Sequence, residues 1–437
     1  MMKTASRSLS FNISSWRPLS MERLANDCFA NSSEMISARE AIEKITEAGA
    51  AIVDAETRRL PDALGHILAE DVIAPRNVPP ADNSAVDGFA FRHADYEKNP
   101  DARRAILGHS KAGHPWKGSL EGDGVVKILT GAMMPEGFDT VAMIEDISSD
   151  GSHIILPAGM KAGANRRKAG EDIREGQVLL KKGTRLRPQE LGYLASIGAA
   201  SVKVYKPLRV ALFSTGDELL NPDEPYASGH IYDSNRFILG ALLKSFGCAV
   251  TDLGILKDRL PVVRAALNDA AGNHDLVITS GGVSMGDEDH VRTALTDVGQ
   301  LHFWQIAIKP GRPLALGQIG NTAFVGLPGN PIAALVCSLI FVRPLIGILS
   351  GANARKPLTF QAKADFAMKK KAGRTEWLRG HYTGGEGIGT VQKFATDGSG
   401  ILTSAVWANG LIEIGDDVTY IDKGDLVKFL PFSELMR

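Results

Sequence analysis

The sequence predicts a multidomain α/β protein: a central doubly wound α/β domain, a helical and β-rich N-terminal region, and a small C-terminal β domain. Three observations predict this fold class. The 437 residues, 44% of them hydrophobic, exceed one ordinary domain and suffice for several cores. From residue 208, strand and helix patterns alternate regularly. Over about 75–185 and again over 358–437, short apolar runs are broken by glycine and proline, which is typical of β-rich structure.

The N-terminal part of the chain divides into a tail, residues 1–35, and a region spanning 36–205. Residues 1–20 carry lysine and arginine without any acid, are rich in serine, and lack the apolar core of a secretory signal. We expect a disordered extension, or an upstream start codon with Met21 as the true first residue.

Within the region 36–205, apolar spacing predicts helices at 36–50 and 60–72. A β-rich insertion is expected at about 75–185, followed by a helix at 188–197.

The central domain, residues 206–352, shows the clearest pattern. Its strands are predicted at 209–214, 249–256 and 275–280, and its helices at 234–247, 260–272 and 288–299. Such alternation predicts a mainly parallel sheet covered on both faces, with ligands bound beyond the carboxyl ends of the strands.

The most apolar run, PIAALVCSLIFV at 331–342, is shorter than the roughly 18 to 20 residues that span a bilayer. It therefore predicts a buried core helix. Residues 356–437 follow a linker and consist of short strand patterns separated by turn residues. They predict a small barrel or sandwich.

Charge and cysteine content exclude several classes of function. The net charge of −1 provides no general attraction to nucleic acid or to an acidic membrane surface. Cys28, Cys248 and Cys337 are isolated from one another, so neither CxxC spacing nor a disulfide framework is present. The histidines form no HExxH motif. This composition favours a reducing cytoplasm and predicts that any anion is held by local groups.

The turn after the strand at 275–280, TSGGVSMGDED, allows three interpretations. Ser284 lies in a G-x-S-x-G pattern between a strand and a helix, as in a serine hydrolase, but no downstream histidine is clearly placed beside it. Alternatively, Ser280, Gly281 and Gly282 form a phosphate cradle at a helix N-terminus, with Mg²⁺ bridging phosphate and the acids that end at Asp289. In the third interpretation those acids only complement the helix dipole.

Other strand ends carry charged turns as well. STGDEL contains Glu218 and LKDRLP contains Asp258, which favours a metal and nucleotide site at one edge of the sheet. The loop KPGRP presents Lys309 and Arg312, two cations suited to a small oxyanion, although solvated cations on an exposed hairpin are an alternative.

Seven motifs, in this order, resemble the molybdopterin molybdenumtransferases, the MoeA proteins of bacteria, which are similar to the E domain of gephyrin. The resemblance covers roughly residues 36–437. The motifs are DNSAVDGFA, LTGAMMPEGFDTVAMIED, STGDEL, IYDSNR, TSGGVSMGDED, KPGRP and GLPGNP.

The resemblance implies insertion of molybdate into adenylylated molybdopterin, with Mg²⁺-dependent release of AMP, to form molybdenum cofactor. It implies a molybdopterin-binding central domain and a homodimer. Molybdopterin adenylyltransferase and molybdoenzyme chaperones are the protein partners that it suggests. Two alternatives are a molybdopterin adenylyltransferase, against which the additional terminal regions argue, and a non-catalytic scaffold.

Site residues are implied by the same resemblance. Asp87, Glu218 and Asp289 are the predicted catalytic residues, and Glu218, Asp258 and Asp289 are the predicted metal ligands. The predicted substrate-binding residues are Thr130, Asp172, Ser280, Gly281, Gly282, Ser284, Asp258, Lys309, Arg312, Pro328, Pro331, Arg374 and Ser399. Of these, Ser284, Lys309, Arg312, Arg374 and Ser399 are expected to form the molybdate pocket. The family commonly has lysine where this chain has Arg312. Asp87, Thr130 and Asp172 are expected to complete the site of the other subunit.

Overall fold

A computed structural model of the chain describes residues 35–47, 50–283 and 290–436. The predicted tail and the segment 284–289, which contains Ser284 and Asp289, lie outside the described residues. The described chain forms an N-terminal β-rich part, a central α/β domain and a C-terminal β-barrel, as the sequence predicts.

A six-stranded sheet dominates the N-terminal part. Its strands, in spatial order, are Thr140–Met143, Gly88–Phe91, Val125–Ile128, Arg103–Ser110, His153–Ile155 and Ser148–Ser149. Three two-stranded pairs accompany it: Ala55–Arg59 with Ser201–Tyr205, Val72–Ile73 with Val178–Leu180, and Asn83–Ser84 with Arg166–Arg167. In addition to Ala38–Glu47, this part contains the α-helices His93–Lys98 and Pro188–Ser196.

The prediction of a helix at 60–72 is wrong, because the only helical structure in this segment is a 3₁₀ turn, Leu60–Asp62. Gly65 has a φ of 78°, a conformation that ends a helix. Its N–H donates to Leu186 O (2.7 Å), and the N–H of Leu68 donates to Thr184 O (3.0 Å). Leu60, Ala63 and Leu68 are buried in a cluster with Val202 and Val204 of a neighbouring strand, whereas Leu64 is exposed.

The helix predicted at 36–50 forms over Ala38–Glu47 and packs on the central domain. Its buried residues Ala41 and Ile45 belong to the same cluster as the central strands and helices. Ile36 forms a bridge with Ile306, and Ile36 O accepts from the N–H of Ala307 (2.8 Å). The start of the N-terminal region is therefore anchored to the central sheet.

The central sheet has six strands, in the order Ala249–Leu256, Arg209–Thr215, Leu276–Ser280, Thr322–Leu327, Pro313–Ile319 and Gln300–Gln305. The first four are parallel to one another, Pro313–Ile319 runs antiparallel to Thr322–Leu327, and Gln300–Gln305 runs antiparallel to Pro313–Ile319. From the strand Arg209–Thr215 the chain passes to Ala249–Leu256 on one side and then to Leu276–Ser280 on the other side. This change of direction makes the edge between Thr215 and Ser280 a topological switch point.

Helices cover both faces of this sheet, as predicted. Val210 and Leu212 face the cluster that contains Asn235–Ser245 and the apolar helix, whereas Ala211 and Phe213 face the helices Leu260–Asn273 and His290–Val298. A strand that is buried on both faces reads as a continuous apolar run, and this is the pattern of residues 210–213.

The apolar helix is longer than predicted. Pro331–Cys337 continues through a π-turn at Ser338–Val342 into Arg343–Leu349. The resulting 19 residues are long and apolar enough to cross a membrane, so the argument from length was wrong. The core-helix interpretation rests instead on burial, since 78% of the most apolar window lies inside the protein. Pro344 does not end the helix, because a wider π-turn precedes it.

Five strands close the C-terminal barrel: Thr375–Thr383, Thr390–Lys393, Phe360–Ala364, Leu426–Pro431 and Gly410–Ile414, which pairs again with the first. The antiparallel pair Met368–Lys369 and Tyr420–Ile421 and the short helices Thr403–Trp407 and Phe432–Leu435 complete this domain. A segment of the central domain, Ile308–Lys309, pairs in parallel with Thr375–Glu376 at the barrel. The two domains therefore share a short backbone ladder.

Candidate active site

Glycines form the turns at the switch point of the central sheet. Gly216 follows the strand Arg209–Thr215, and Gly281 follows Leu276–Ser280. Gly281 has a φ of 87°, and a Cβ there would lie 2.5 Å from Thr215 O. A Cβ on Gly282 would lie 2.7 Å from Cγ2 of the same threonine. The two strand ends are thus so close that only glycine fits at positions 281 and 282.

Asn235 joins this turn to the loop GLPGNP, a role that the sequence did not reveal. Its Nδ2 donates to Ser280 Oγ and to Gly329 O, both at 2.7 Å. The N–H of Gly281 also donates to Leu327 O (3.1 Å). Asn235 lies in the motif IYDSNR, but nothing in one sequence indicates which strand end its amide would reach.

Acidic side chains gather at the same edge. The carboxylate of Glu218 lies over Gly216, and the N–H of Asp258 donates to Asp217 Oδ1 (3.4 Å). Burial raises the pKa of Asp258, and the carboxylates of Asp217 and Glu218 raise it further, whereas His290 lowers it. The structure therefore brings Glu218 and Asp258 together. Among the described residues, no group of three or more His, Cys, Asp or Glu could hold a metal ion, and Asp289 lies outside them.

A cavity of about 150 Å³ lies where the loops KPGRP and GLPGNP meet the barrel. Three predicted substrate-binding residues, Lys309, Pro328 and Ser399, line it together with Asn330 and Asp397. Pro331 begins the apolar helix next to Asn330. Arg312 does not line the cavity; it is exposed, and its carbonyl accepts from the N–H of Ile306 (3.2 Å).

Charged groups of both signs surround Lys309. Its Nζ lies 3.6 Å from Glu376 Oε2 and 3.6 Å from Asp397 Oδ2. Arg374 donates from Nε to Glu376 Oε1 (2.9 Å), so Arg374 is connected to the cavity through this buried glutamate. Asp397 Oδ1 also lies 3.6 Å from Lys393 Nζ. Sequence reasoning missed Glu376 and Asp397, because neither lies in a recognisable motif.

Hydrogen bonds from two directions hold the loop that carries Asp397 and Ser399. The buried guanidinium of Arg379 donates from NH2 to Thr396 O (3.0 Å) and Gly398 O (3.3 Å). On the other side, the N–H of Ile332 donates to Ser399 O (3.0 Å). Both domains therefore fix the backbone of this loop.

The predicted residues of the N-terminal part lie on its surface. Asp87 Oδ1 accepts from the N–H and from Oγ1 of Thr130, both at 2.7 Å. These two hydrogen bonds lower the pKa of Asp87. Asp172 is exposed, and its N–H donates to Val78 O (3.1 Å). The structure thus pairs Asp87 with Thr130, as a capping role requires, and leaves both side chains exposed.

Comparison with known proteins decides the family. Three sequence profiles match in order: "MoeA N-terminal region (domain I and II)" over residues 36–198, "Probable molybdopterin binding domain" over 211–347, and "MoeA C-terminal region (domain IV)" over 361–432. The molybdopterin molybdenumtransferase of Haemophilus influenzae is 42% identical over 385 residues, which cover 87% of this chain and 95% of that protein. The chain belongs to the molybdopterin molybdenumtransferase family. It is accordingly a transferase of molybdenum cofactor biosynthesis, as predicted.

Further members of the molybdopterin molybdenumtransferase family agree. The protein of Nostoc sp. is 34% identical over 85% of this chain and 87% of its own length. The crystal structure of the molybdopterin biosynthesis moeA protein from Pyrococcus horikoshii matches with a TM-score of 0.80 and 28% identity, covering 91% of this chain and 100% of that one. The predicted multidomain fold is therefore confirmed.

Proposed function

We propose that the chain inserts molybdate into adenylylated molybdopterin, releases AMP and forms molybdenum cofactor. The observation that carries this proposal is the cavity in which Lys309, Ser399 and the loop GLPGNP converge beside the glycine turns of the switch point. A lysine, a hydroxyl and backbone N–H groups suit a tetrahedral dianion. The glycine turns suit the phosphates of the pterin substrate.

The chemistry requires fixed cations rather than a nucleophile. An oxygen of molybdate takes up two protons and leaves as water while dithiolene sulfur takes its place, and negative charge must be stabilised throughout. Lys309 can do this, because its backbone belongs to the ladder shared with the barrel and the buried carboxylate of Glu376 lies 3.6 Å from its Nζ. Asn235 orients the turn that would receive the phosphates.

The acidic edge fits the Mg²⁺ that the family implies. Asp258 Oδ1 is buried without a hydrogen-bond partner among the described residues, and two further carboxylates lie nearby. Such a group is stabilised by a hard cation. We propose Glu218, Asp258 and Asp289 as the ligands. Bound there, Mg²⁺ would neutralise charge on the adenylate pyrophosphate.

One assay tests the reaction: molybdate-dependent release of AMP from adenylylated molybdopterin by the purified protein. Charge reversal at Lys309 should weaken molybdate binding much more than adenylate binding, and we expect the same direction for Arg312. Lys423→Glu, an exposed change on the barrel, serves as the matched control. Equal losses for both ligands would reject the assigned pocket. The alternatives are separated in the same experiment, since an adenylyltransferase consumes ATP and a scaffold releases no AMP.

We further propose that the protein acts as a cytoplasmic homodimer, in which Asp87, Thr130 and Asp172 complete the site of the other subunit. The exposure of these three side chains on the N-terminal part supports this arrangement. Light scattering would measure the mass in solution. Mixed dimers of Asp87→Asn and Lys309→Glu subunits should regain about a quarter to a half of the activity if the sites are shared, a statistical expectation for two sites. Activity no higher than that of the separate variants would oppose the shared site.

A further inference from the structure

We propose that Asp397 is an internal competitor of the oxyanion: its carboxylate occupies Lys309 and must yield that cation when the tetrahedral dianion binds. The inference rests on the proposed function and assigns a role to a residue that no motif contains. Its basis is the position of Asp397, which lines the cavity and places Oδ2 3.6 Å from the Nζ of Lys309. A carboxylate at the wall of an anion site repels the ligand and occupies the cation that the ligand needs.

The other carboxylate beside Lys309 cannot exchange in this way. The side chain of Glu376 is 2% exposed and is held by Arg374 from both Nε (2.9 Å) and NH2 (2.8 Å). Moving Glu376 would break its ion pair with Arg374 and leave a buried charge without its partner. Glu376 is therefore a fixed counter-charge that positions Lys309 and Arg374.

Asp397 has the opposite properties. Its side chain is 44% exposed, and both of its cation contacts, to Lys309 and Lys393, are 3.6 Å long. That distance exceeds the 2.7–2.9 Å that is usual for a charge-assisted hydrogen bond, so the carboxylate is attracted but not locked. Exposed ion pairs of this kind are weak and readily exchange with other ions.

The loop around Asp397 can keep its shape while the carboxylate is displaced. Arg379 binds the carbonyls of Thr396 and Gly398, on either side of Asp397, and Ile332 binds the carbonyl of Ser399. None of these hydrogen bonds is made by the side chain of Asp397, whose carboxylate and the guanidinium of Arg379 interact only electrostatically. Removing its charge should therefore change the electrostatics of the cavity without removing Ser399 from it.

The consequence is a site that binds the oxyanion less tightly and releases it more readily than Lys309 alone would. With Asp397 present, the free energy that Lys309 contributes to dianion binding is only the difference between its ion pair with the dianion and its ion pair with Asp397. Such a site would exchange its oxyanion readily and would resist long occupation by abundant anions such as sulfate. The competitor thereby sets the affinity for the oxyanion and leaves the affinity for the pterin unchanged.

The test compares the full-length protein with Asp397→Asn and with Asp365→Asn. Asp365 is a barrel carboxylate paired with Lys423 and Gln392 that does not line the cavity. Titration calorimetry with molybdate, and with sulfate as a second tetrahedral dianion, gives the binding constants. AMP release gives the KM for each substrate.

We expect Asp397→Asn to bind both dianions about three- to tenfold more tightly, a range discounted for the exposure of the pair. The KM for molybdate should fall in parallel, and the KM for adenylylated molybdopterin should not change. Asp365→Asn should match the unmodified protein throughout. A merely structural role for Asp397 would not tighten binding of any ligand.

Two other outcomes would overturn different statements. Suppose that the unmodified protein binds molybdate and that Lys309→Ala does not. Unchanged or weaker dianion binding by Asp397→Asn would then reject the role of Asp397 as a competitor and leave the proposed function intact. Failure of the unmodified protein to bind molybdate, or full binding by Lys309→Ala, would reject the pocket itself.

Discussion

Replacing Gly281 by alanine should damage both stability and activity, because two separate costs meet at this residue. At a φ of 87° an L-residue is disfavoured by about 1–2 kcal/mol. In addition, the new Cβ would lie 2.5 Å from Thr215 O, a backbone atom that cannot rotate away. Relieving such overpacking typically costs about 1–3 kcal/mol. The sum predicts destabilisation of about 2–5 kcal/mol.

Gly320 provides the matched control in the same sheet. It lies between two antiparallel strands with a φ of 56°, and a Cβ there would meet nothing within 4 Å. Gly320→Ala should therefore show only the backbone cost, about 1–2 kcal/mol. The difference between the two variants isolates the contact with Thr215.

Urea unfolding followed by circular dichroism measures both variants, and the AMP-release assay measures function. A displacement of the turn by about 1 Å can reduce kcat/KM by about 100-fold, and we expect a loss of this order for Gly281→Ala alone. If the two variants have the same unfolding midpoint and the same activity, the close approach of the two strand ends does not matter, and the reasoning is refuted.

Three further predictions concern other parts of the chain. Asp87→Asn keeps an oxygen that can accept both hydrogen bonds from Thr130, so we expect a folded protein that yields little cofactor, and unimpaired synthesis by the variant would reject a catalytic role. The same hydrogen bonds lower the pKa of Asp87. The stability that they contribute is therefore fully present above the ordinary pKa of 3.8 and is lost as the pH falls through the lowered pKa. Arg236→Ala should lower the free energy of unfolding, measured in urea, by about 3–5 kcal/mol, because the carboxylate of Asp233, 2% exposed, loses its ion pair. A decrease below about 1 kcal/mol, as for a surface ion pair, would contradict this. Burial raises the pKa of Cys337 to about 12, so this thiol should resist thiol reagents at pH 8 until the protein unfolds, and mass spectrometry showing rapid native-state modification of Cys337 would contradict its burial.

The regular parts of the fold were predictable because one local signal dominated in each. Val210 to Phe213 form an uninterrupted apolar run, and a strand buried on both faces is the structure that such a run favours. Residues 60–72 have helical apolar spacing, yet Gly65 and hydrogen bonds to the segment 184–186 determine a different structure. Periodicity records which residues are buried, but not which distant strand buries them.

The active site was predictable where the family resemblance assigns its residues. Lys309 and Ser399 were expected in one pocket, and both line the cavity. Glu376 was not expected, because it reaches Lys309 through a pairing between the segment 308–309 and a barrel strand far along the chain. Asp397 was not expected, because it approaches Lys309 from a different barrel loop. A residue that acts through such a contact has no signature of its own in a single sequence.

The ladder between Ile308–Lys309 and Thr375–Glu376 limits how freely these domains can be recombined. A chimera that exchanges the barrel at the linker near residue 353 would separate Lys309 from Glu376, its partner in this ladder. We expect barrel exchange between distant homologues to preserve folding of each half but to impair oxyanion capture. Transplanting the loop 306–313 together with the barrel should restore it, which makes this loop, although encoded within the central domain, part of the exchangeable unit.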